Sequence, residues 1–260
     1  MSDTARLAAA IEGVGNLAIA VSGGVDSMTL ATFAHRTEPD RTHVVHAVSP
    51  AVPPAATERV RALAAAEGWR LTIIDAGEFA DERYRQNPVN RCYFCKLNLY
   101  SEITRVVPGR VASGTNLDDL GDYRPGLKAA SEQDVVHPFV TAGFTKRDVR
   151  QLAAALGLDD LAELPAQPCL SSRVETGIFI EAADLAFVDR IETLAAQIAG
   201  GPAVVRCRIT SRGVHVEVGT IGVTERARIA AMAAEECRSA ERAFAGVKDY
   251  RQGAMFVHAP

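Results

Sequence analysis

The residues of this 260-residue chain best suited to chemistry are a glycine–serine loop near the start and three of its five cysteines. The loop reads A-V-S-G-G-V-D-S over residues 20–27. Gly23 and Gly24 allow a tight turn and a close backbone approach to a ligand. If a strand precedes them and a helix follows, the unpaired N–H groups of the helix start face that ligand, and the helix dipole favours an anion there. Ser22 and Ser27 add hydroxyl donors. Asp26 would repel bare phosphates, so Mg²⁺ is expected between them. The loop is neither G-x-x-x-x-G-K-[ST] nor G-x-G-x-x-G. The plain alternative is a strand–helix turn with Ser and Asp as caps. Cys92 and Cys95 stand at C-x-x-C spacing in N-R-C-Y-F-C-K. Locally that pair is equally half a zinc site, a redox dithiol or two ligands of another centre. Cys169 sits in P-C-L-S-S-R, where Arg173, four residues on, would favour the nucleophilic thiolate. A buried structural cysteine is the plain reading there.

The elements that must position these groups follow from periodicity. Apolar runs at 17–22, 42–48, 70–75 and 111–114 read as strands, and helical patterns at 26–35, 57–67, 96–106 and 145–156 separate them. Such alternation implies a parallel sheet covered on both faces, with ligands at the carboxyl ends of its strands. A second pattern begins near residue 180. It has a helix at 181–198, strands at 203–210 and 214–218 joined by Ser211-Arg212-Gly213, a helix at 224–238 and two short strands within 243–257. The fold class is therefore α/β, with a mainly parallel first domain over 1–175 and a smaller C-terminal α/β domain over 176–260.

Composition narrows the partners. Hydrophobic residues make up 48%, enough to bury a full core. No basic-then-apolar leader begins the chain, and no apolar run approaches the ~20 residues of a membrane span. An odd cysteine count without disulfide-framework spacing fits a reducing, cytoplasmic setting. The net charge of −4, without a Lys/Arg cluster, argues against a nucleic-acid partner.

After the strand at 111–114 comes G-T-N-L-D-D-L-G-D-Y-R-P-G-L-K-A-A, residues 114–130. Gly114 and Asn116 fall where a parallel sheet places a nucleotide. Asp118, Asp119 and Asp122 are too many acids for a core, and Arg124 and Lys128 supply countercharge. In the second domain, Val205, Cys207 and Ile209 alternate onto one strand face, and Arg206 and Arg208 onto the other. Across the turn Val214, Val216 and Val218 point inward, leaving His215 and Glu217 outward. That charged face is either a solvated one with cross-strand ion pairs or a phosphate site. Glu192, on the preceding helix, could line the same cleft. Cys207 reads as core, and Cys237, on an alanine-rich helix, carries no chemistry.

The S-G-G-x-D-S string resembles the pyrophosphate loop of the PP-loop ATPases, which cut ATP between its α and β phosphates and adenylate a substrate. Residues 114–130, T-K-R-D-V-R-Q-L-A-A-A-L-G-L at 145–158, P-C-L-S-S-R at 168–173 and D-Y-R-Q-G-A-M at 249–255 resemble the LarE family. The likeness runs from Leu17 to Met255. It implies a Rossmann-like PP-loop domain and an ATP-dependent sulfur transferase of nickel-pincer nucleotide biosynthesis. A carboxylate of pyridinium-3,5-biscarboxylic acid mononucleotide would be adenylated and AMP displaced by sulfur, twice. By the same resemblance Cys169 is the sulfur-site cysteine. In one style of the family it gives up its own sulfur; in the other, three cysteines hold a 4Fe–4S cluster. Cys92, Cys95 and Cys169 would be those three, with one iron left open to sulfide. Zinc, with a fourth ligand such as His137, and a dithiol relay are the other outcomes. The resemblance further implies Arg206 or Arg208 at the substrate phosphate, sulfide or a sulfur-donor protein as partner, and a homo-oligomer.

Three other functions compete. A tRNA-thiolating PP-loop enzyme would bring a basic surface. An amidotransferase-like adenylating enzyme needs an ammonia source. A nucleotide-binding regulator would show no ATP–pyrophosphate exchange.

Overall fold

The computed structural model describes residues 2–121, 125–201 and 203–251. Its contacts divide the chain into two units. The first comprises residues 1–84 and 90–167; the second comprises Arg85–Val89 and everything from Pro168 onward.

Unit 1 alternates α1 (Asp3–Glu12), β1 (Leu17–Val21), α2 (Val25–Thr37), β2 (Thr42–Ala47), α3 (Pro54–Glu67) and β3 (Leu71–Ile74). After the short α4 (Glu82–Arg85) come α5 (Arg91–Val106), β4 (Arg110–Ser113), α6 (Pro125–Glu132), α7 (Pro138–Ala142), α8 (Lys146–Ala155) and α9 (Asp159–Ala162). The four strands form one parallel sheet in the order β3-β2-β1-β4. β1 reads LAIAV and is buried along most of its length, as a central strand covered on both faces should be. One core packs Leu17 and Ile19 against Met28, Leu30 and Phe139; the other packs Ala18 against Tyr100, Ile103 and Val111. β2 and β3 extend the sheet on one side of β1, and β4 joins on the other. The strand order therefore reverses at β1, and a crevice opens beyond the carboxyl ends of β1 and β4, where such sheets bind ligands.

Unit 2 consists of α10 (Ala182–Ala199), β5 (Val205–Thr210), β6 (Gly213–Val218), α11 (Val223–Ser239) and β7 (Phe244–Asp249). β5 and β6 are antiparallel, and β7 joins β6 in parallel. Of the two strands expected within 243–257, β7 is the first; the other lies outside the described residues. The polypeptide enters this unit earlier than residue 176. Val174 bridges to Ile209, and the Asn87 side-chain amide donates to the carbonyls of Val174, Glu175 and Ile178. These bonds tie residues 85–89 and 168–178 to the small sheet, a pairing that linear order does not reveal. No helix among the described residues is long and apolar enough to cross a membrane.

Candidate active site

The loop between β1 and α2 is shaped by its glycines. Gly23 has φ +80°, and a Cβ there would lie 2.8 Å from the Ala56 carbonyl oxygen. Gly24 is the N-cap of α2 and offers no side-chain cap, so the first N–H groups of α2 keep their capacity for a ligand. Hydroxyls brace the turn. Ser22 donates its N–H to Ser27 Oγ at 3.1 Å, and Ser27 Oγ donates to the Gly24 carbonyl at 3.3 Å. Gly114 follows β4 and presses against the same helix start; a Cβ there would come within 2.6 Å of Ser27 N. The two glycine segments named from sequence thus meet at the crevice between β1 and β4.

Asp26 stands at the centre of a polar network. Its Oδ2 pairs with Lys146 Nζ at 2.9 Å, and its Oδ1 accepts from Asn116 Nδ2 at 3.2 Å. Asn116 is fully buried. Its Oδ1 accepts the Asp118 N–H at 3.1 Å, and Asp118 Oδ2 accepts the Lys146 N–H at 2.6 Å. Lys146 is held there because Thr145 and Asp148 form a reciprocal capping box that starts α8. Arg59, on α3, donates to the Gly23 carbonyl at 2.7 Å, and burial lowers its pKa. Lys146 and Arg59 were absent from the sequence-derived set. The first had a visible signal, a lysine inside the cap T-K-R-D; Arg59 had none. The expected countercharge from Lys128 is directed elsewhere: its Nζ lies 3.8 Å from Glu132 and 5.4 Å from the Tyr93 ring centroid. Asp122 and Arg124 lie outside the described residues.

Cys92 and Cys95 are on the opening turns of α5, five residues earlier than the helix expected from Lys96. Their i, i+3 spacing puts both sulfurs on one helix face, near the positive end of the dipole. Both are partly buried. Cys169 belongs to unit 2 and is exposed. The hydrogen bonds of Arg173 go to groups other than the Cys169 thiol. Its Nε and one terminal nitrogen grip Glu192 at 2.9 Å each, and the other terminal nitrogen donates to the carbonyls of Pro168 and Cys169 and to Ser172 Oγ. It therefore positions the backbone on either side of Cys169. Among the described residues, no three His, Cys, Asp or Glu side chains gather as a metal-holding group. His137 bonds Ser113 Oγ at 2.8 Å; burial lowers its pKa, partly offset by Asp119.

The charged face of unit 2 is not a solvated one. Arg208, His215 and Glu217 are all buried, and Arg208 pairs with Glu217 at 2.9 Å while donating to the Ser172 carbonyl at 3.1 Å. Glu192 is tied to Arg173 and accepts the Cys207 N–H at 2.9 Å. Arg206 is partly buried, donates to the Val205 carbonyl at 2.7 Å and lies 5.9 Å from the Tyr250 ring centroid. Burial, and next the Arg173 charge, lower its pKa. Cys207 and Cys237 are fully buried, and burial pushes both thiols up, away from reactivity.

The fold and the loop together define a Rossmann-like parallel sheet with an anion-ready turn at its switch point, accompanied by a smaller α/β unit. No family model matches the chain. Over 178 residues it is 39% identical to an uncharacterized protein of Synechocystis, covering 67% of this chain and 66% of that one. It is 28% identical to an uncharacterized protein of Methanocaldococcus jannaschii, covering 67% of each. It is 30% identical to the pyridinium-3,5-bisthiocarboxylic acid mononucleotide synthase of Lactiplantibacillus plantarum, covering 66% of this chain and 64% of that enzyme. The chain thus matches about two thirds of the length of each of these relatives.

Proposed function

We propose that the chain is an ATP-dependent sulfur transferase of the LarE type. It adenylates the carboxylates of pyridinium-3,5-biscarboxylic acid mononucleotide and converts them to thiocarboxylates. The carrying observation is the pair of glycine segments meeting at Ser27 beside the Asp26–Lys146–Asn116 network. The similarity to the mononucleotide synthase supplies the acceptor.

In this reading the helix-start N–H groups, Ser22 and Ser27 bind the ATP phosphates. Lys146 can leave Asp26 for a phosphate oxygen at little cost, because their pair is partly exposed. Asp26 is then released to hold Mg²⁺ together with the phosphates, a donor set that suits an ion which prefers few carboxylates. The substrate carboxylate attacks the α-phosphorus and pyrophosphate leaves. The resulting acyl-adenylate is a good electrophile where the carboxylate was a poor one. A sulfur nucleophile then takes the acyl carbon and AMP departs.

Cys92, Cys95 and Cys169 are the thiolates proposed to hold a 4Fe–4S cluster. The first two fit as neighbours on one helix face, and the third as an exposed sulfur. When bound, such a cluster supplies an iron that carries sulfide. Arg206 or Arg208 is the proposed partner of the substrate phosphate, and Arg208 would have to leave Glu217 to serve it. The test is ATP–pyrophosphate exchange dependent on the mononucleotide, with mass spectrometry of the product and iron and sulfide counts on anaerobically purified protein. Exchange without the mononucleotide, or with tRNA in its place, would refute the acceptor. Absent iron, with one sulfur lost from Cys169 on turnover, would replace the cluster by a sacrificial cysteine.

A further inference from the structure

Unit 2 contains a cavity of about 880 Å³ that the proposed reaction does not use. It lies against the face of β6 that carries His215 and Glu217. Four cationic side chains line it, Arg212, Arg226, Lys248 and Arg251, against three carboxylates. Two of the carboxylates are in ion pairs and the third is hydrogen-bonded. Glu217 holds Arg208 at 2.9 Å, Asp249 holds Arg226 at 2.8 Å, and Glu175 accepts from the Ser211 N–H at 2.8 Å. Arg212, Lys248 and Arg251 have no ion pair among the described residues. His215 completes the wall: its side chain is 8% exposed, and its buried Nδ1 finds no hydrogen-bond partner.

We infer that this cavity binds a compact, base-free polyanion carrying at least two phosphate-type groups, through Arg212, Lys248 and Arg251. Three separate cations around one hollow call for more than one anionic group, and guanidiniums take phosphate oxygens in pairs. The volume suits a small organic ligand as well as a linked phosphate. Among the described residues no phenyl, phenol or indole ring lines the cavity, and its one aromatic ring, the His215 imidazole, is largely buried, so a nucleobase finds little to stack on beyond the arginine planes. The hydroxyls of Thr210 and Ser211 add neutral hydrogen-bonding groups at the rim.

The test follows the His215 ring by NMR on the full chain, with its signals assigned through His215→Gln. Inorganic pyrophosphate, fructose 1,6-bisphosphate and AMP are titrated separately. A local probe is needed because pyrophosphate should also occupy the loop of unit 1. The expected result is a saturable shift of His215 with at least one of the two base-free ligands, and a weaker response to AMP. A response to pyrophosphate alone assigns a free linked phosphate; a tighter response to the bisphosphate assigns a phosphorylated sugar. The double variant Arg212→Gln/Lys248→Gln should raise the dissociation constant about tenfold or more. Arg251→Gln alone should weaken the same shift, which keeps the inference testable if the double variant fails to fold. No saturable shift with either polyanion, a shift indifferent to these substitutions, or tighter binding of AMP would overturn it.

Discussion

The two units use charge in opposite ways. In unit 1 the anion-ready site is made of backbone and hydroxyls, and the ion pair beside it, Asp26–Lys146, has side chains 25% and 39% exposed. In unit 2 two arginines are bound to glutamates: Arg208–Glu217 at 7% and 6% exposure, Arg173–Glu192 at 3% and 15%. An exposed pair exchanges its partner for a ligand cheaply. A buried pair does not, because taking one partner away strands a charge out of water. Arginines on a strand are therefore not an anion site until their carboxylates are counted, and at the cavity of unit 2 that count leaves Arg212, Lys248 and Arg251.

The largest expected effect tests this contrast directly. Glu217→Ala should cost about 3–5 kcal/mol, because it leaves Arg208 buried and uncompensated. Chemical denaturation measures it. Replacing both partners together, Arg208→Met with Glu217→Leu, should recover most of the loss. If the single variant changes stability by no more than an exposed pair would, about 1 kcal/mol, the buried pairs of unit 2 are not its struts and the contrast fails.

Next in size is Gly114→Ala. Its methyl would meet Ser27 N inside contact distance, so the loop after β4 has to withdraw from α2. A cost of about 1–3 kcal/mol is expected from the overpacking, together with loss of ATP binding by calorimetry. Full ATP affinity in a folded variant would separate Gly114 from the proposed nucleotide site.

How legible this was in the sequence differs between the units for the same reason. Strand–helix alternation and the run S-G-G-V-D-S are local, so β1, α2 and the turn between them can be read directly. Gly114 can also be read, because it ends a strand. Lys146 and Arg59 reach the loop from α8 and α3, over sequence separations that no local pattern encodes. In unit 2 alternation gave the hairpin and its two faces correctly, Val214 and Cys207 on one, Arg208 and Glu217 on the other. It could not show that the charged face is buried, because residues 168–178, whose Ser172 carbonyl meets Arg208, arrive from outside the hairpin. Arg173 follows the same pattern: its ion-pair partner Glu192 lies on a different element, while its bond to Cys169 goes to the carbonyl.

A smaller effect on stability, with a large one on activity, is expected for Lys146→Ala. The partly exposed pair with Asp26 should contribute no more than about 1 kcal/mol. ATP–pyrophosphate exchange should nevertheless drop at least about tenfold, with Lys146→Arg recovering part of it. A variant that loses as much stability as Glu217→Ala would make Lys146 a strut, as in unit 2, and remove the distinction between the two sites.

The smallest effect concerns protons. His46 is buried beside the loop, with Nδ1 2.9 Å from the Val21 carbonyl and Nε2 3.0 Å from Thr57 Oγ1. A carbonyl only accepts, so Nδ1 carries the proton and Nε2 accepts from the threonine. Burial lowers the pKa of His46 below its ordinary 6.5, although the Val21 bond opposes the shift. The unfolded chain therefore binds more protons than the folded one just below that pH, and stability rises with pH there. The contribution is complete above 6.5 and is lost as the pH falls through the folded value. His43 and His137, also lowered first by burial, add to the same slope. The Arg208–Glu217 pair should hold over that range, because although burial opposes it, the His215 hydrogen bond and the Arg208 charge keep the Glu217 carboxyl below its ordinary value. Hydrogen exchange followed by mass spectrometry from about pH 7 to about pH 5 should show protection falling in unit 1 before unit 2, with His46→Gln flattening part of the fall. Equal loss of protection in both units over that range would mean that the two do not differ in how they bury charge.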